Sequence, residues 1–322
     1  MGPCFGGSVM SGISGKPAPE PVILTGATAS GKSAVALELA RRWGAEIVSV
    51  DSMQVYRGLD IGTAKPSSAE RAQVPHHLVD VVDLTDSFDA ARFVTRTTEV
   101  LQDARRRGCP VILCGGTGMY LSAWLNGLGQ APAPDPVLRS ELESLPMPVL
   151  LDELARRDLT TFDEIDVQNR RRVVRAVEVI RLTGRPFSQQ RARWSDRAPA
   201  MAGRCFALER DRADEIRRID RRVDCMFAAG LIEETRSLLD RGLRGNRTAM
   251  QAIGYRQVVD HLEGRCRRQE AVDQVKVRTR QFAKRQKTWF RGQLDLRWVG
   301  IGPEESPSET ADRIVAELQK PA

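Results

Sequence analysis

Gly26-Ala27-Thr28-Ala29-Ser30-Gly31-Lys32-Ser33 follows the pattern GxxxxGK[ST], and its surroundings decide the fold. Residues 21–25, directly before it, are a short apolar run of the kind that forms a buried strand. In residues 33–43, directly after it, the apolar side chains recur at helical spacing. Strand, glycine-rich loop and helix in this order predict a P-loop at the start of an α/β domain.

The residue types of this loop suit the binding of phosphate groups. Gly26 and Gly31 permit backbone angles that aim successive N–H groups inward, and the helix N-terminus adds the positive end of its dipole. Lys32 supplies a mobile cation, and Ser33 offers a hydroxyl to Mg²⁺. The loop therefore predicts a site for a diphosphate or a nucleotide such as ATP, with Mg²⁺ as cofactor, without deciding between them.

Further strands and helices alternate along the chain. Residues 46–50 and 110–114 are apolar runs typical of buried strands, and residues 88–107 between them have a helical pattern. This alternation predicts a parallel, doubly wound sheet. Residues 205–208 are expected to form a returning strand and residues 296–299 a last edge strand.

The alternation stops near residue 127, where a different organisation begins. Residues 130–136 contain three prolines and are interpreted as a hinge, and charged helical segments follow up to residue 184. The predicted architecture is a P-loop core with a parallel sheet flanked by helices, an all-helical insertion and a helical C-terminal region. Its expected parts are a disordered leader (1–20), the catalytic core (21–130 and 186–322) and the insertion (131–185).

Composition excludes several classes of protein. The net charge is +7, and nearly all the positive charge is arginine; this balance favours a polyanionic partner, although base-composition bias is the alternative explanation. The six cysteines form no CxxC pair, which argues against a zinc site or a disulfide framework. No apolar run is long enough for a membrane span, and the leader lacks the apolar core of a signal peptide. We expect a cytoplasmic protein, monomeric and without membrane association.

Asp51 ends the second predicted strand. The carboxyl ends of parallel strands share one edge of the sheet, so Asp51 should face the same crevice as the P-loop. Residues 110–114, in contrast, do not lead into the metal-binding acid of nucleotide hydrolases and many kinases. Asp51 is interpreted as a general base or a metal-shell acid, and the alternative is a helix cap.

Several ordered motifs resemble those of the tRNA dimethylallyltransferase (tRNA isopentenyltransferase) family. They are residues 26–33, 51–57, 60–66, 75–78, 115–120, 254–256 and 284–291. The likeness runs from about residue 20 to residue 300. It implies transfer of a dimethylallyl group from dimethylallyl diphosphate to the N6 amine of the adenosine 3′-adjacent to the anticodon (tRNA position 37). The products would be N6-isopentenyladenosine and diphosphate.

The resemblance also implies roles for individual residues. Asp51 would accept the proton of the adenine amine, with Thr28, Lys32 and Arg222 as further catalytic residues and Gly26–Ser33 as the cradle of the diphosphate. The implied contacts with the anticodon stem-loop are Asp51, Ser52, Met53, Gln54, Thr117, Arg139, Arg171, Arg172, Val173, Val174, Arg175, Gln251, Ala252, Ile253, Gly254, Tyr255, Arg256, Lys284, Arg285, Gln286, Lys287, Thr288, Trp289, Phe290 and Arg291. Two positions depart from the family pattern: Ala27 replaces a proline, and Arg171 replaces a glutamine.

Two arginine-rich stretches are candidates for an RNA-binding surface. Residues 274–291 contain no acid, and as a helix they would place Arg280, Lys284, Lys287 and Arg291 on one face. Val275, Phe282 and Trp289 would lie on the opposite, packed face. The second stretch, in the insertion, contains Arg170, Arg171, Arg172, Arg175, Arg181 and Arg185. An ordinary solvated basic face is the alternative for both.

Two other functions remain open on the sequence. One is an ATP-dependent small-molecule kinase, and the other is a non-catalytic RNA-binding or NTP-switch protein. In the pair His76-His77, adjacent side chains point apart on a strand, so a structural turn or substrate loop is preferred to a metal site.

Overall fold

The structure, a computed structural model, describes residues 20–192, 201 and 203–320. Apart from Glu20, the predicted leader lies outside the described residues. The chain divides into two compact units, Met1–Leu121 with Ala198–Ala322, and Ser122–Arg197. The second unit thus contains the segment 131–185 together with residues on both sides of it. In the described ranges we find no helix with the length and apolar character that a membrane crossing requires.

The described residues form six strands and thirteen α-helices. The strands are β1 (Val22–Gly26), β2 (Glu46–Val50), β3 (His76–His77), β4 (Val111–Gly115), β5 (Cys205–Arg210) and β6 (Arg297–Ile301). The helices of the first part of the chain are α1 (Lys32–Trp43), α2 (Ser68–Gln73), α3 (Ala90–Arg106), α4 (Gly118–Asn126), α5 (Pro136–Ser144), α6 (Met147–Arg157), α7 (Leu159–Glu164) and α8 (Arg170–Thr183). The remaining helices are α9 (Arg212–Ala228), α10 (Leu231–Asp240), α11 (Tyr255–Leu262), α12 (Arg268–Gln293) and α13 (Pro307–Leu318).

All six strands belong to one parallel sheet in the order β3-β2-β4-β1-β5-β6. The predicted α/β class, the parallel sheet and the edge position of the last strand are confirmed. The His76-His77 pair, in contrast, forms a short edge strand beside Ile47 and Val48 rather than a turn. It does so because Ile47 donates its N–H to the carbonyl of Pro75 at 2.9 Å, which continues the ladder of β2.

The sheet is covered on one face by α1 and α13. Strands β1 and β4 are buried along their whole length, as expected for central strands of a parallel sheet. Helix α1 contributes Val35 and Leu39 and helix α13 contributes Ile314 to a single apolar core with these strands. Gly44, in the left-handed conformation, ends α1 and returns the chain to β2. This packing fixes the N-terminal end of α1, where the P-loop lies.

The second unit has its own core, built from α5, α6, α7 and α8. Leu142, Leu150 and Val177 are among its fully buried side chains. Glu178 of α8 is also fully buried and accepts hydrogen bonds from the guanidinium groups of Arg139 and Arg175. A buried carboxylate is tolerated only when it is paired in this way. The charge of the two partly exposed arginines is therefore directed toward the interior of the unit.

Other arginines of the insertion also have internal partners. Arg170 donates to backbone carbonyls around the end of α5, including that of Glu143 at 2.7 Å. Arg181 pairs with Glu141 and Glu153. The interpretation of these arginines as one basic surface is therefore wrong for Arg170, Arg175 and Arg181. Acids pair with Arg175 and Arg181, and backbone carbonyls accept the hydrogen bonds of Arg170. Arg171, Arg172 and Arg185 are exposed.

Glu46, buried at the start of β2, supports a prediction on stability. Hydrogen bonds from Arg107 and from His77, the latter at 2.8 Å, hold the pKa of this carboxyl at about 2. Because the folded pKa is depressed, its contribution is complete above the unfolded value and is lost as the pH falls toward 2. Arg107 is half exposed, so we expect Glu46→Gln to lower the free energy of unfolding by only about 1–3 kcal/mol at pH 7.

Urea unfolding of the wild-type protein and of Glu46→Gln between pH 7 and pH 2.5 would measure the contribution of the Glu46 carboxylate to stability. The difference in unfolding free energy should shrink through the acid range. A difference that stays constant with pH would contradict the assignment.

Candidate active site

The P-loop between β1 and α1 adopts a backbone that only certain residues permit. Gly26 has φ 144°, and a Cβ atom there would lie 2.6 Å from the carbonyl oxygen of Leu208 in β5. Gly31, with φ 99°, turns the chain into α1 and leaves the helix N-terminus without a side-chain cap. An uncapped helix N-terminus has free N–H groups and a positive partial charge, both of which favour an anion.

Two cationic side chains converge on this loop. Lys32 donates from Nζ to the carbonyl of Ala27 at 3.1 Å, and Nη1 of Arg222 in α9 lies 3.4 Å from Oγ1 of Thr28. Burial lowers the pKa of both groups. An anion bound here would favour the charged forms of both side chains and so oppose the effect of burial. Thr28, Lys32 and Arg222, predicted as catalytic residues, are thus brought together.

Two arginines that sequence reasoning missed bind the backbone of the loop. Arg210 donates from Nε to the carbonyl of Ser30, and Arg218 donates from Nε to the carbonyl of Ala29, each at 3.0 Å. Arg210 is buried and paired with Asp214. The spacing of Arg218 and Arg222, four residues apart on α9, was the available signal, because it places both on one helix face.

Asp51 follows β2 at the same edge of the sheet as the P-loop. Burial lowers the pKa of Lys32 and of Arg222, and the nearby carboxylate of Asp51 partly opposes that shift because it favours their charged forms. The same carboxylate accepts hydrogen bonds from the N–H groups of Met53 at 2.8 Å and Gln54 at 3.3 Å. Asp51 therefore caps the following turn and also faces the cations of the loop.

Thr117 joins the loops that follow β2 and β4. Its N–H donates to the carbonyl of Val50, and its Oγ1 accepts from the N–H of Ser52, each at 3.1 Å. A Cβ atom at Gly115 would lie 2.1 Å from the oxygen of Val50, so only glycine allows this approach. Cys114, just before it, is buried, and burial raises the pKa of its thiol to about 11.

The stretch 60–66 is fixed beside Gln54. Nε2 of Gln54 donates to the carbonyls of Thr63 at 3.2 Å and Ala64 at 3.3 Å. The N–H of Gly62 donates to the hydroxyl of Tyr255, and a Cβ atom at Gly62 would meet the ring of that tyrosine at 2.5 Å. The hydroxyl of Tyr255 in turn donates to Glu234 at 2.6 Å. These contacts give residues 60–66 a structural role: they support the loop that contains Asp51 and Gln54.

Burial separates the predicted RNA contacts into two groups. Buried residues are Val173, Val174, Ala252, Gly254, Tyr255, Gln286 and Phe290, whose side chains, where they have one, pack inside the protein. Exposed residues are Arg171, Arg172, Gln251, Arg256, Lys284, Arg285, Thr288 and Arg291. Asp51, Ser52, Met53, Gln54, Thr117, Arg139, Arg175, Ile253, Lys287 and Trp289 are intermediate. Only the exposed and intermediate residues can contribute side chains to a surface.

The charge distribution on α12 differs from the expected basic face. Arg280 pairs with Asp220, Lys287 with Glu215 and Arg291 with Glu209. Phe282, expected on the packed face, is 38% exposed. Acids of α9 and β5, distant in sequence, thus lie beside three of the four cations of this face, and its contact with RNA stays a prediction.

Comparison with known proteins is consistent with this geometry. The family model described as IPP transferase matches residues 54–293. A "tRNA dimethylallyltransferase" from Geobacter metallireducens is 46% identical over 284 residues, covering 86% of this chain and 91% of the relative. The "tRNA dimethylallyltransferase 1" of Trichlorobacter lovleyi is 44% identical over 292 residues, covering 89% and 95%.

Solved structures agree. The tRNA isopentenylpyrophosphate transferase of Bacillus halodurans has a TM-score of 0.67 at 37% identity, covering 94% of this chain and 97% of that one. A eukaryotic dimethylallyltransferase acting on tRNA has a TM-score of 0.70 at 26% identity, covering 86% and 73%. With the family model matching well over half of its length and relatives of this identity covering most of it, the chain belongs to the IPP transferase family.

Proposed function

We propose that this chain transfers the dimethylallyl group of dimethylallyl diphosphate to the N6 amine of adenosine 37 in tRNA. The nitrogen forms a bond to the allylic carbon, and the bond from that carbon to the diphosphate oxygen breaks. The N6 proton passes to a base, and diphosphate leaves. The products are N6-isopentenyladenosine in tRNA and diphosphate.

One observation carries the proposal: Asp51 follows β2 and the P-loop follows β1 at the same edge of one parallel sheet, where Lys32 of the loop and Arg222 of α9 also lie. A carboxylate and an anion-binding loop at one sheet edge supply the two groups that this reaction needs. The loop, through its amides and these cations, stabilises charge on the leaving diphosphate. Asp51 accepts the proton of the attacking amine, a contribution typically worth about 10²- to 10⁴-fold in rate.

We propose that the exposed cations of α12 contact the RNA, and that its target base enters the crevice between the P-loop and Asp51. Lys284 and Arg285 are exposed on α12, and Arg285 lies over the ring of the exposed Phe282, 6.0 Å from its centroid. Arginine and aromatic side chains together suit phosphate and base stacking. A base in a folded anticodon arm has to leave its stack to reach Asp51, at a cost of a few kcal/mol, and such contacts offset that cost.

A divalent metal, which we propose to be Mg²⁺, fits the loop residues. Ser33 is exposed next to Lys32, and Mg²⁺ bound with phosphates needs only one or two protein ligands beside water and phosphate oxygens. Ser33 would hold the ion, which supplies further neutralisation of the diphosphate. We expect protein treated with EDTA to lose turnover and to regain it on addition of Mg²⁺.

The role of Ser33 is checked with Ser33→Ala, which should raise the Mg²⁺ concentration needed for half-maximal turnover. Ser308→Ala, a surface serine on α13, is the matched control. An unchanged Mg²⁺ dependence in Ser33→Ala would contradict the assignment of that residue.

Mass analysis of nucleosides tests the proposed function itself. Unmodified tRNA is incubated with the protein, dimethylallyl diphosphate and Mg²⁺, then digested. Adenosine 37 should gain the mass of one dimethylallyl group in place of one hydrogen. A parallel incubation with labelled ATP distinguishes a kinase, which would transfer phosphate to a small molecule and leave the tRNA unchanged.

A further inference from the structure

Gln286, in α12, uses both ends of its side-chain amide inside the protein. Oε1 accepts a hydrogen bond from the N–H of Thr28 in the P-loop at 2.8 Å. Nε2 donates to the carbonyl of Gly116, after β4, at 2.9 Å. The side chain is 8% exposed, so water competes little for either bond. The orientation of the amide is unambiguous because a backbone N–H can only donate and a carbonyl can only accept.

The two partners of Gln286 lie in the two halves of the candidate active site. Thr28 belongs to the loop that is proposed to hold the diphosphate. Gly116 directly precedes Thr117, whose Oγ1 accepts from the N–H of Ser52, next to Asp51. A continuous path of hydrogen bonds and peptide links therefore runs from the P-loop through Gln286 to the backbone beside the proposed base.

The space around this bridge permits little change. A Cβ atom at Gly116 would lie 2.3 Å from Nε2 of Gln286, closer than nonbonded atoms approach. Its other neighbours are farther away, the oxygen of Gly26 at 3.7 Å. The glycine is therefore needed because of the glutamine amide and not because of its own backbone conformation.

We propose that Gln286 is a positioning residue that fixes the distance between the diphosphate loop and Asp51. Its amide is buried and binds the Thr28 N–H and the Gly116 carbonyl at once, so we assign it this role in place of the RNA contact that the resemblance implies. The proposal rests on the proposed function, since it assigns these two halves to one reaction. It predicts that loss of the bridge lowers the rate of the bond-forming step more than it weakens tRNA binding.

The first test compares Gln286→Met, which has similar length and no amide, with Gln269→Ala, an exposed glutamine in the first turn of α12. In single-turnover reactions with both substrates saturating, the rate of dimethylallyl transfer by Gln286→Met should be about 10- to 100-fold lower than that of wild type, because the transition state is less well stabilised. Its Kd for tRNA should stay within about twofold of wild type, the range expected for an untouched surface. Gln269→Ala should match wild type in both.

A double-mutant cycle with Gly116→Ala separates positioning from general loss of structure. Gly116→Ala alone should slow the reaction to a similar extent, because the new methyl group displaces the amide. In the Gln286→Met background it should add little, since the bridge is already absent and the thioether side chain can bend away. Independent, multiplicative effects of the two substitutions would overturn the assignment.

The outcomes distinguish the two proposals. Wild-type protein that transfers no dimethylallyl group would overturn the proposed function. Wild-type protein that transfers normally, with Gln286→Met equal to it in single-turnover rate, would overturn the role of Gln286 alone. If Gln286→Met does not fold, the single-turnover rate of Gly116→Ala, which retains the glutamine, decides: a rate equal to that of wild type would overturn the role of Gln286.

Discussion

Asp51→Asn is expected to lower kcat for dimethylallyl transfer about 10²- to 10⁴-fold while the Kd for tRNA stays near the wild-type value. The asparagine keeps an oxygen that can accept from the N–H groups of Met53 and Gln54, so the turn after β2 should remain capped. What it loses is the negative charge and the ability to take the amine proton. Rapid-quench kinetics with radiolabelled dimethylallyl diphosphate and a gel-shift measurement of tRNA binding would check both expectations.

Two controls make this experiment specific. Asp83→Asn changes an exposed aspartate on another loop and should leave kcat unchanged. Asp51→Ala removes the cap as well and should lose stability in addition to activity. A kcat for Asp51→Asn close to that of wild type would mean that the amine proton goes elsewhere, and would contradict the role of Asp51.

Lys32→Met is expected to lower kcat/KM for dimethylallyl diphosphate about 10²- to 10³-fold, the effect typical of removing one preorganised group from a developing anion. The methionine retains most of the length of the side chain, so the loss is mainly that of charge. Lys320→Met, at an exposed site near the C-terminus, is the matched control. Calorimetry with inorganic pyrophosphate would measure the binding part of the effect without turnover.

The pH dependence of pyrophosphate binding adds a second readout for Lys32. Burial lowers the pKa of this ammonium group in the free protein, so its charge is lost at a lower pH than that of an ordinary lysine. Affinity for pyrophosphate should therefore fall as the pH rises through the alkaline range, and in Lys32→Met this part of the fall should be absent. The same alkaline profile in both proteins would assign the titration to another group.

Much of the fold could be predicted because its signals are local. The apolar runs of β1, β2 and β4 and the helical spacing of α1 each lie within a short window, and the P-loop pattern fixes how two of them connect. The edge strand β3 was missed because it has only two residues. Its existence depends on pairing with β2, which no pattern within His76-His77 encodes.

The candidate site could be predicted only in part, for a related reason. Lys32 ends the P-loop after β1, and Asp51 directly follows β2, so the parallel topology alone brings them to one edge of the sheet. Gln286 and Arg210 are far from the P-loop in sequence, and their contacts with it exist only once α12 and β5 have packed. The neutralisation of Lys287 and Arg291 by Glu215 and Glu209 is equally non-local.

A crystal structure with an anticodon stem-loop and an unreactive thio analogue of dimethylallyl diphosphate would test directly whether the P-loop and Asp51 act on the two substrates in one crevice. We expect the diphosphate on the amides of the P-loop with Lys32 and Arg222 against it. We also expect the N6 atom of an extruded adenine within about 2.6–3.2 Å of a carboxylate oxygen of Asp51, the range of a hydrogen bond. A diphosphate bound elsewhere, or an adenine amine beyond the reach of Asp51 even through one water molecule, would contradict it.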